Sequence, residues 1–336
     1  MKKEAAFWKK TKNNSVQCFL CPHHCMIANE KRGICGVRKN ENGKLFTLIY
    51  GVCSSVADDP IEKKPLYHFY PGSRVFSLGS VGCNFRCDHC QNYSISTASP
   101  EEFFSQDILP EKIVEAARDH GCRGVAWTYN EPTIWHEYTL DCAKLAKKAG
   151  LYTVYVTNGY MEEEPLKEIA PYLDAMNIDV KAFTEEFYKN ICKARLAPVL
   201  QTCERAKQLG VHLELTYLII PGLNDDADEI KRFCEWTVEK LGSNTPVHFS
   251  RFHPDYKMTN TQATPTKTLL ASSTIAKTAG LLFVYLGNIP HGDYDNTYCP
   301  SCGNLLIERQ GFTAQIRGLV KNTCARCKTV IPLQRE

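Results

Sequence analysis

Cys83, Cys87 and Cys90 stand in the stretch GCNFRCDHCQN with the spacing C-x3-C-x2-C. Three thiolates are one fewer than a closed zinc or iron–sulfur site takes. A 4Fe–4S cluster held by three cysteines keeps one iron open, and an open iron can chelate a small molecule through an amino and a carboxylate group. One-electron chemistry at such a position gives access to radicals, a task that proteins leave to cofactors. The loop follows the apolar run VFSLGSVG, so a strand end would present it.

Eight further cysteines form two sets of four. Cys18, Cys21, Cys25 and Cys35 are spaced C-x2-C-x3-C-x9-C, with His23 and His24 between them, and fit either zinc or an auxiliary iron–sulfur cluster. Cys299, Cys302, Cys324 and Cys327 make two C-x2-C knuckles 21 residues apart, the pattern of a four-cysteine zinc ribbon. The chain has 17 cysteines, and the other six are scattered and read as small buried hydrophobes. Clustered cysteines point to metals in a reducing compartment, and a cytoplasmic protein is expected. MKKEAAFWKK has too short an apolar stretch for a signal peptide, and Pro221 breaks the run LTYLIIPGL well short of a membrane span.

Composition agrees with a soluble globular chain: 336 residues, 43% hydrophobic, 23% charged, net charge +3. The charge carries no dense basic patch, so a nucleic-acid partner is not expected. From Val75 to Ile289, short β-rich runs alternate with amphipathic helical stretches. Strands are expected at 75–81, 124–130, 151–158, 175–182, 212–220, 246–252 and 281–287, with glycine helix caps at Gly121, Gly150 and Gly242. Such alternation implies parallel βαβ units and an α/β fold, a partial or full TIM-like (β/α) barrel with two small four-cysteine metal modules. The expected division is 1–50 N-terminal module, 51–74 linker, 75–296 barrel and 297–336 ribbon. Polar signatures fall at the C-terminal ends of the strands, where barrels gather their chemistry: GCN, NEP, TNG, the Asp179–Lys181 pair and FHP.

CNFRCDHCQN, with DPIEKKPLYHFYPGS before it and YNEP, VTNGY, NIDVKAF, IIPGLND and HFSRFHPDYKM after it, resembles the radical SAM superfamily. The branch is that of the glycyl-radical-enzyme activases. The likeness is stronger to the radical SAM enzyme of the AmmeMemoRadiSam system, and it covers nearly the whole chain. It implies that Cys83, Cys87 and Cys90 hold a 4Fe–4S cluster that reductively cleaves S-adenosylmethionine (SAM), giving a 5′-deoxyadenosyl radical that takes hydrogen from a substrate. It implies SAM contacts from His89, Glu131, Asn158, Asp179, Lys181 and His253. Tyr129 and Asn130 replace the glycines of the family's Gly-Gly-Glu motif, and Val156 replaces an acidic residue of a cation site in some activases. A flavodoxin or ferredoxin donor and MEMO-type and AMMECR-type partners are implied likewise. Bland readings remain beside these: a solvated loop histidine at 89, a helix N-terminal acid at Glu131, structural roles for Arg251 and His253. Other functions left open are an activase acting on a protein glycine, and a non-catalytic metal sensor or nucleic-acid-binding protein.

Overall fold

The computed structural model describes residues 1–103, 105–289 and 292–335. Its centre is an eight-stranded sheet whose spatial order follows the chain. The strands are β1 (Ser55–Pro60), β2 (Arg74–Gly79), β3 (Gly124–Trp127), β4 (Tyr152–Thr157), β5 (Ala175–Asp179), β6 (His212–Ile219), β7 (Val247–Arg251) and β8 (Val284–Gly287). From β2 to β8 all neighbours are parallel. Strand β1 joins β2 antiparallel. With β1 and β8 as its edges, the sheet is a partial barrel.

Around it pack helices α1 (Pro110–Asp119), α2 (His136–Lys148), α3 (Glu163–Ile169), α4 (Leu196–Gln208), α5 (Ala227–Trp236) and α6 (Thr266–Thr278). Proline opens α1 at its first position, where no amide hydrogen is needed, and the Asp226 side chain caps α5. Gly121, Gly150 and Gly242 all take positive φ at helix ends, as their positions require. Strand alternation sorts the two faces. On β6, Leu213, Leu215, Tyr217 and Ile219 join the core shared with α4 and α5, while His212, Glu214 and Thr216 occupy the opposite face.

Residues 61–73 close the lower mouth, at the N-terminal ends of the strands. Ile61, Leu66 and Phe69 pack with Val75, Ala126, Tyr152, Val154 and Ala175 from four neighbouring strands. Glu214, fully buried, accepts the amide hydrogens of Tyr67 (3.0 Å) and His68 (2.7 Å) and bonds His212 and His248 (3.0 and 2.7 Å). Those contacts tie the plug to β6 and β7. The segment expected to be a linker therefore supplies both an edge strand and the barrel's floor.

Two short antiparallel sheets build residues 3–47, around a small core of Ala5, Val16, Leu20, Ile27 and Leu45. Residues 297–324 form a three-stranded sheet and a hairpin. Among the described residues, no helix is long and apolar enough to cross a membrane.

Candidate active site

The loop after β2 carries the three cysteines. It turns through Gly82 at φ 82°, where an added Cβ would lie 2.7 Å from the Cys35 carbonyl oxygen, so both the turn and the contact require glycine. A π-helical turn at Tyr188–Cys192 holds the loop from the other side. The carbonyls of Cys192 and Ile191 accept the amide hydrogens of Arg86 (3.0 Å) and Asp88 (3.2 Å). Single π turns recur at functional sites, because the extra residue redirects backbone groups.

Cys83, Cys87 and Cys90 line one cavity of 220 Å³ at the C-terminal ends of the strands. His89, Tyr129, Asn130, Asn158, Asp179 and Lys181 share its wall. Polar groups surround the sulfurs: Ser96 Oγ lies 3.2 Å from Cys90 Sγ, the Phe85 amide 3.4 Å from Cys83 Sγ, and Asn158 Nδ2 3.8 Å from the same sulfur. Burial pushes the Cys83 and Cys90 thiols up, with the Glu131 carboxylate adding to the effect at Cys83. The neighbouring Cys192 thiol, together with burial, raises that of Cys87. Thiolates so disfavoured on their own need a cation to form, which a metal bound by the three cysteines would supply.

His89 is buried, and its Nδ1 has no hydrogen-bond partner among the described residues. Burial, helped by the nearby Lys181 ammonium, holds its imidazole down to about 3, so it is neutral at pH 7. Asp179 and Lys181 point the same way from the end of β5 and pair at 2.6 Å. Burial opposes the Lys181 charge, but the Asp179 carboxylate outweighs it and the amine stays protonated. Asn158 spans the gap between β4 and the cysteine loop, donating to Asn84 Oδ1 at 2.8 Å.

Glu131 sits just behind the cavity wall. Its carboxylate is spent on the chain itself, accepting from the Thr133 amide (2.9 Å), Thr157 Oγ1 (2.7 Å) and the Asn158 amide (2.8 Å). It is 1% exposed and caps the turn Pro132–Trp135, while Tyr129 and Asn130 form the cavity wall there. Burial raises its pKa, and these three bonds pull the other way. His253 is exposed and, among the described residues, meets the site through Gln91, 3.1 Å away. Arg251 donates to the Thr264 carbonyl at 2.9 Å, holding a loop.

Sequence reasoning passed over Asn84, Gln91, Ser96, Thr216 and Ser250, all of which touch the cysteine loop or the cavity. None belongs to a spacing pattern. Only their places, in or just after the cysteine loop for Asn84, Gln91 and Ser96 and on β6 and β7 for Thr216 and Ser250, could have flagged them. Cys192, read as a small hydrophobe, is buried against Cys87.

At the C-terminal module, Cys299, Cys302, Cys324 and Cys327 bring their sulfurs within 4.8 Å of one another. Cys299 and Cys327 are 3.5 Å apart, and Cys302 and Cys324 3.7 Å. A single tetrahedral ion with bonds of ~2.3 Å sets sulfur separations of ~3.8 Å. The set fits one ion.

The family model for the radical SAM superfamily matches residues 78–234. An uncharacterized protein of Methanocaldococcus jannaschii is 48% identical over 326 residues, 97% of each chain. The pyruvate formate-lyase 1-activating enzyme of Escherichia coli is 24% identical over 187 residues, covering 54% of this chain and 75% of that one. Among solved structures, Streptococcus suis SuiB bound to S-adenosylmethionine shares the fold with a TM-score of 0.50 at 11% identity, over 70% of this chain and 54% of that one. The three-cysteine loop at the head of a parallel partial barrel and these matches agree: the chain belongs to the radical SAM superfamily.

Proposed function

We propose that this chain is an enzyme that reductively cleaves S-adenosylmethionine at a 4Fe–4S cluster held by Cys83, Cys87 and Cys90, and uses the 5′-deoxyadenosyl radical to take hydrogen from a substrate. The observation that carries the reading is the convergence of three thiols, an unpartnered buried imidazole nitrogen and an opposed charge pair on one cavity. When bound, the cluster supplies the electron that breaks the carbon–sulfur bond, leaving methionine and the adenosyl radical.

The chain's own residues bind, orient and shield. Neutral His89 offers Nδ1 as an acceptor beside the cysteines, suited to an amino group of a purine. Asp179 and Lys181 complement the ammonium and carboxylate of a zwitterionic amino acid. Asn130 and Asn158 add amide donors and acceptors without net charge. Glu131 acts behind the wall, fixing the ends of β3 and β4 against each other. Compact spacing of the four C-terminal sulfurs supports zinc as a structural ion there.

Similarity to the E. coli activating enzyme supports a finer reading, in which the hydrogen donor is a glycine of another protein and a flavodoxin or ferredoxin supplies electrons. Pairing with MEMO-type and AMMECR-type proteins rests on the sequence resemblance and is tested by co-purification from the native cell.

Anaerobically reconstituted protein, given SAM and dithionite, should release 5′-deoxyadenosine and methionine in equal amounts. Replacing Cys83, Cys87 and Cys90 by Ala should abolish both products. Undiminished 5′-deoxyadenosine from the triple variant would overturn the reading.

A further inference from the structure

We infer that Cys18, Cys21, Cys25 and Cys35 hold a second iron–sulfur cluster, closed by four thiolates and seated against the catalytic cysteine loop. All four cysteines line one cavity with His23 and Arg38, walled otherwise by Leu20, Ile27 and Ile134. The chain supplies its own standard of comparison. Among the described residues, only the C-terminal four gather their sulfurs within 4.8 Å of one another. The N-terminal four, like the Cys83, Cys87 and Cys90 set, are not gathered so tightly, although each set lines one cavity. A single zinc pulls four sulfurs to ~3.8 Å separations, whereas a polynuclear cluster spreads its thiolates over several irons. The wider set is therefore the cluster-like one.

Its surroundings suit a buried anionic cluster. The His23, Ile34 and Val37 amides lie beside the Cys21, Cys25 and Cys35 sulfurs and favour their thiolates. Arg38 is 1% exposed, donates to Cys18 Sγ at 3.5 Å, and pairs with buried Glu137. Such donors to sulfur tune cluster potentials.

The two cysteine loops touch. His23 Nε2 lies 2.7 Å from the Asn84 carbonyl oxygen, next to Cys83. The Cys35 carbonyl packs on Gly82, and the Arg86 guanidinium bonds the Ile34 carbonyl. Four cysteines leave no coordination position for a substrate, so the chemistry left to this site is one-electron transfer with its neighbour. That role rests on the SAM-cleaving reading; the cluster's presence does not.

The triple Cys83, Cys87 and Cys90→Ala variant isolates the site. Reconstituted anaerobically with iron and sulfide, it should keep about two to four irons with matching sulfide. It should hold about one zinc and, after dithionite supplies one electron, show a paramagnetic signal. Adding Cys21→Ser and Cys25→Ser should remove that iron and the signal. An iron-free triple variant with about two zinc ions per chain overturns the proposal. If the variant fails to fold, wild-type metal content decides. More than about four irons with one zinc supports the cluster, and four irons with two zinc ions refutes it. Because the catalytic cysteines are absent from the test protein, failure of SAM cleavage cannot be mistaken for failure of this site.

Discussion

Glu131 and His89 show how a side chain's role depends on what already occupies its polar atoms. Glu131 accepts three hydrogen bonds within the chain, whereas His89 Nδ1, on the cavity wall, accepts none among the described residues. Glu131→Gln turns an amide NH2 toward groups that themselves donate. It should cost about 1–3 kcal/mol of stability, read from the denaturant midpoint, because hydrogen bonds to a buried charge are lost. SAM affinity should fall less than that. A tenfold loss of SAM binding by calorimetry, with stability unchanged, would make Glu131 a direct ligand. His89→Phe keeps the aromatic ring and removes the acceptor. SAM affinity should drop roughly fivefold, about 1 kcal/mol, with iron content unchanged. Unaltered affinity would leave His89 a packing residue. The cysteine sets were legible because ligand type and spacing are themselves the signal. The hydrogen bonds of Glu131 were not legible, because its partners Thr157 and Asn158 lie 26 and 27 residues on, where only the fold brings them close.

Strands β2 to β8 were legible as elements, because runs buried on one face by helices are rich in branched and aromatic residues. The last began later than expected, at Val284. Strand β1 was missed. Its sequence, SVADDP, holds two acids and a proline, and strand propensity argues against it. The edge position resolves this, since proline at the end of an edge strand need not donate to a neighbour. Asp59 also finds partners: Lys63 at 2.9 Å, Lys64 at 2.7 Å and the Tyr129 hydroxyl at 2.5 Å. Tyr129 takes φ 70°, uncommon for so large a residue, and an added Cβ at Gly79 would meet its ring at 2.9 Å. On the zinc reading proposed above, the C-terminal sheet depends on its metal in a different way. It buries few apolar groups of its own, so Cys299→Ser should lose about one zinc per chain and unfold the module locally. Basal SAM cleavage, corrected for folded fraction, should survive. Its loss with cluster and SAM binding intact would bring the ribbon into the chemistry.

Across the whole molecule, buried titratable groups set the acid limit. His68, fully buried under the barrel, is held down to about 4 from 6.5, chiefly by burial. Glu214 stays ionised well below the usual carboxylate range: burial opposes its charge, but bonds from His212 and His248 outweigh it. Between pH 6.5 and 4 the unfolded chain takes up a proton at His68 that the folded chain refuses. The stability from keeping it neutral is therefore fully present above 6.5 and is lost as pH falls through 4. At the acid end the difference approaches roughly 3 kcal/mol. Urea unfolding at pH 7.5 and 5.0 should show the fall, and His68→Asn should flatten it. An equal slope in both proteins would remove His68 from the account. Nothing in the sequence distinguished His68 or Glu214 from surface residues, because strand alternation marks a face and not what covers it.

The plug also has a temporal consequence. His68 bonds the Pro332 carbonyl, 264 residues away, and the Tyr67 and His68 amides wait for Glu214, 147 and 146 residues away. At ~5–20 residues per second of synthesis, the contact with Pro332 follows His68 by roughly 13–50 s. Pairings this remote in sequence also close slowly, since loop entropy precedes their reward. The nascent barrel is thus unsealed while all seven cysteines of the two adjoining loops are already synthesised. The floor's contact between His68 and the Pro332 carbonyl therefore forms only when synthesis is all but complete.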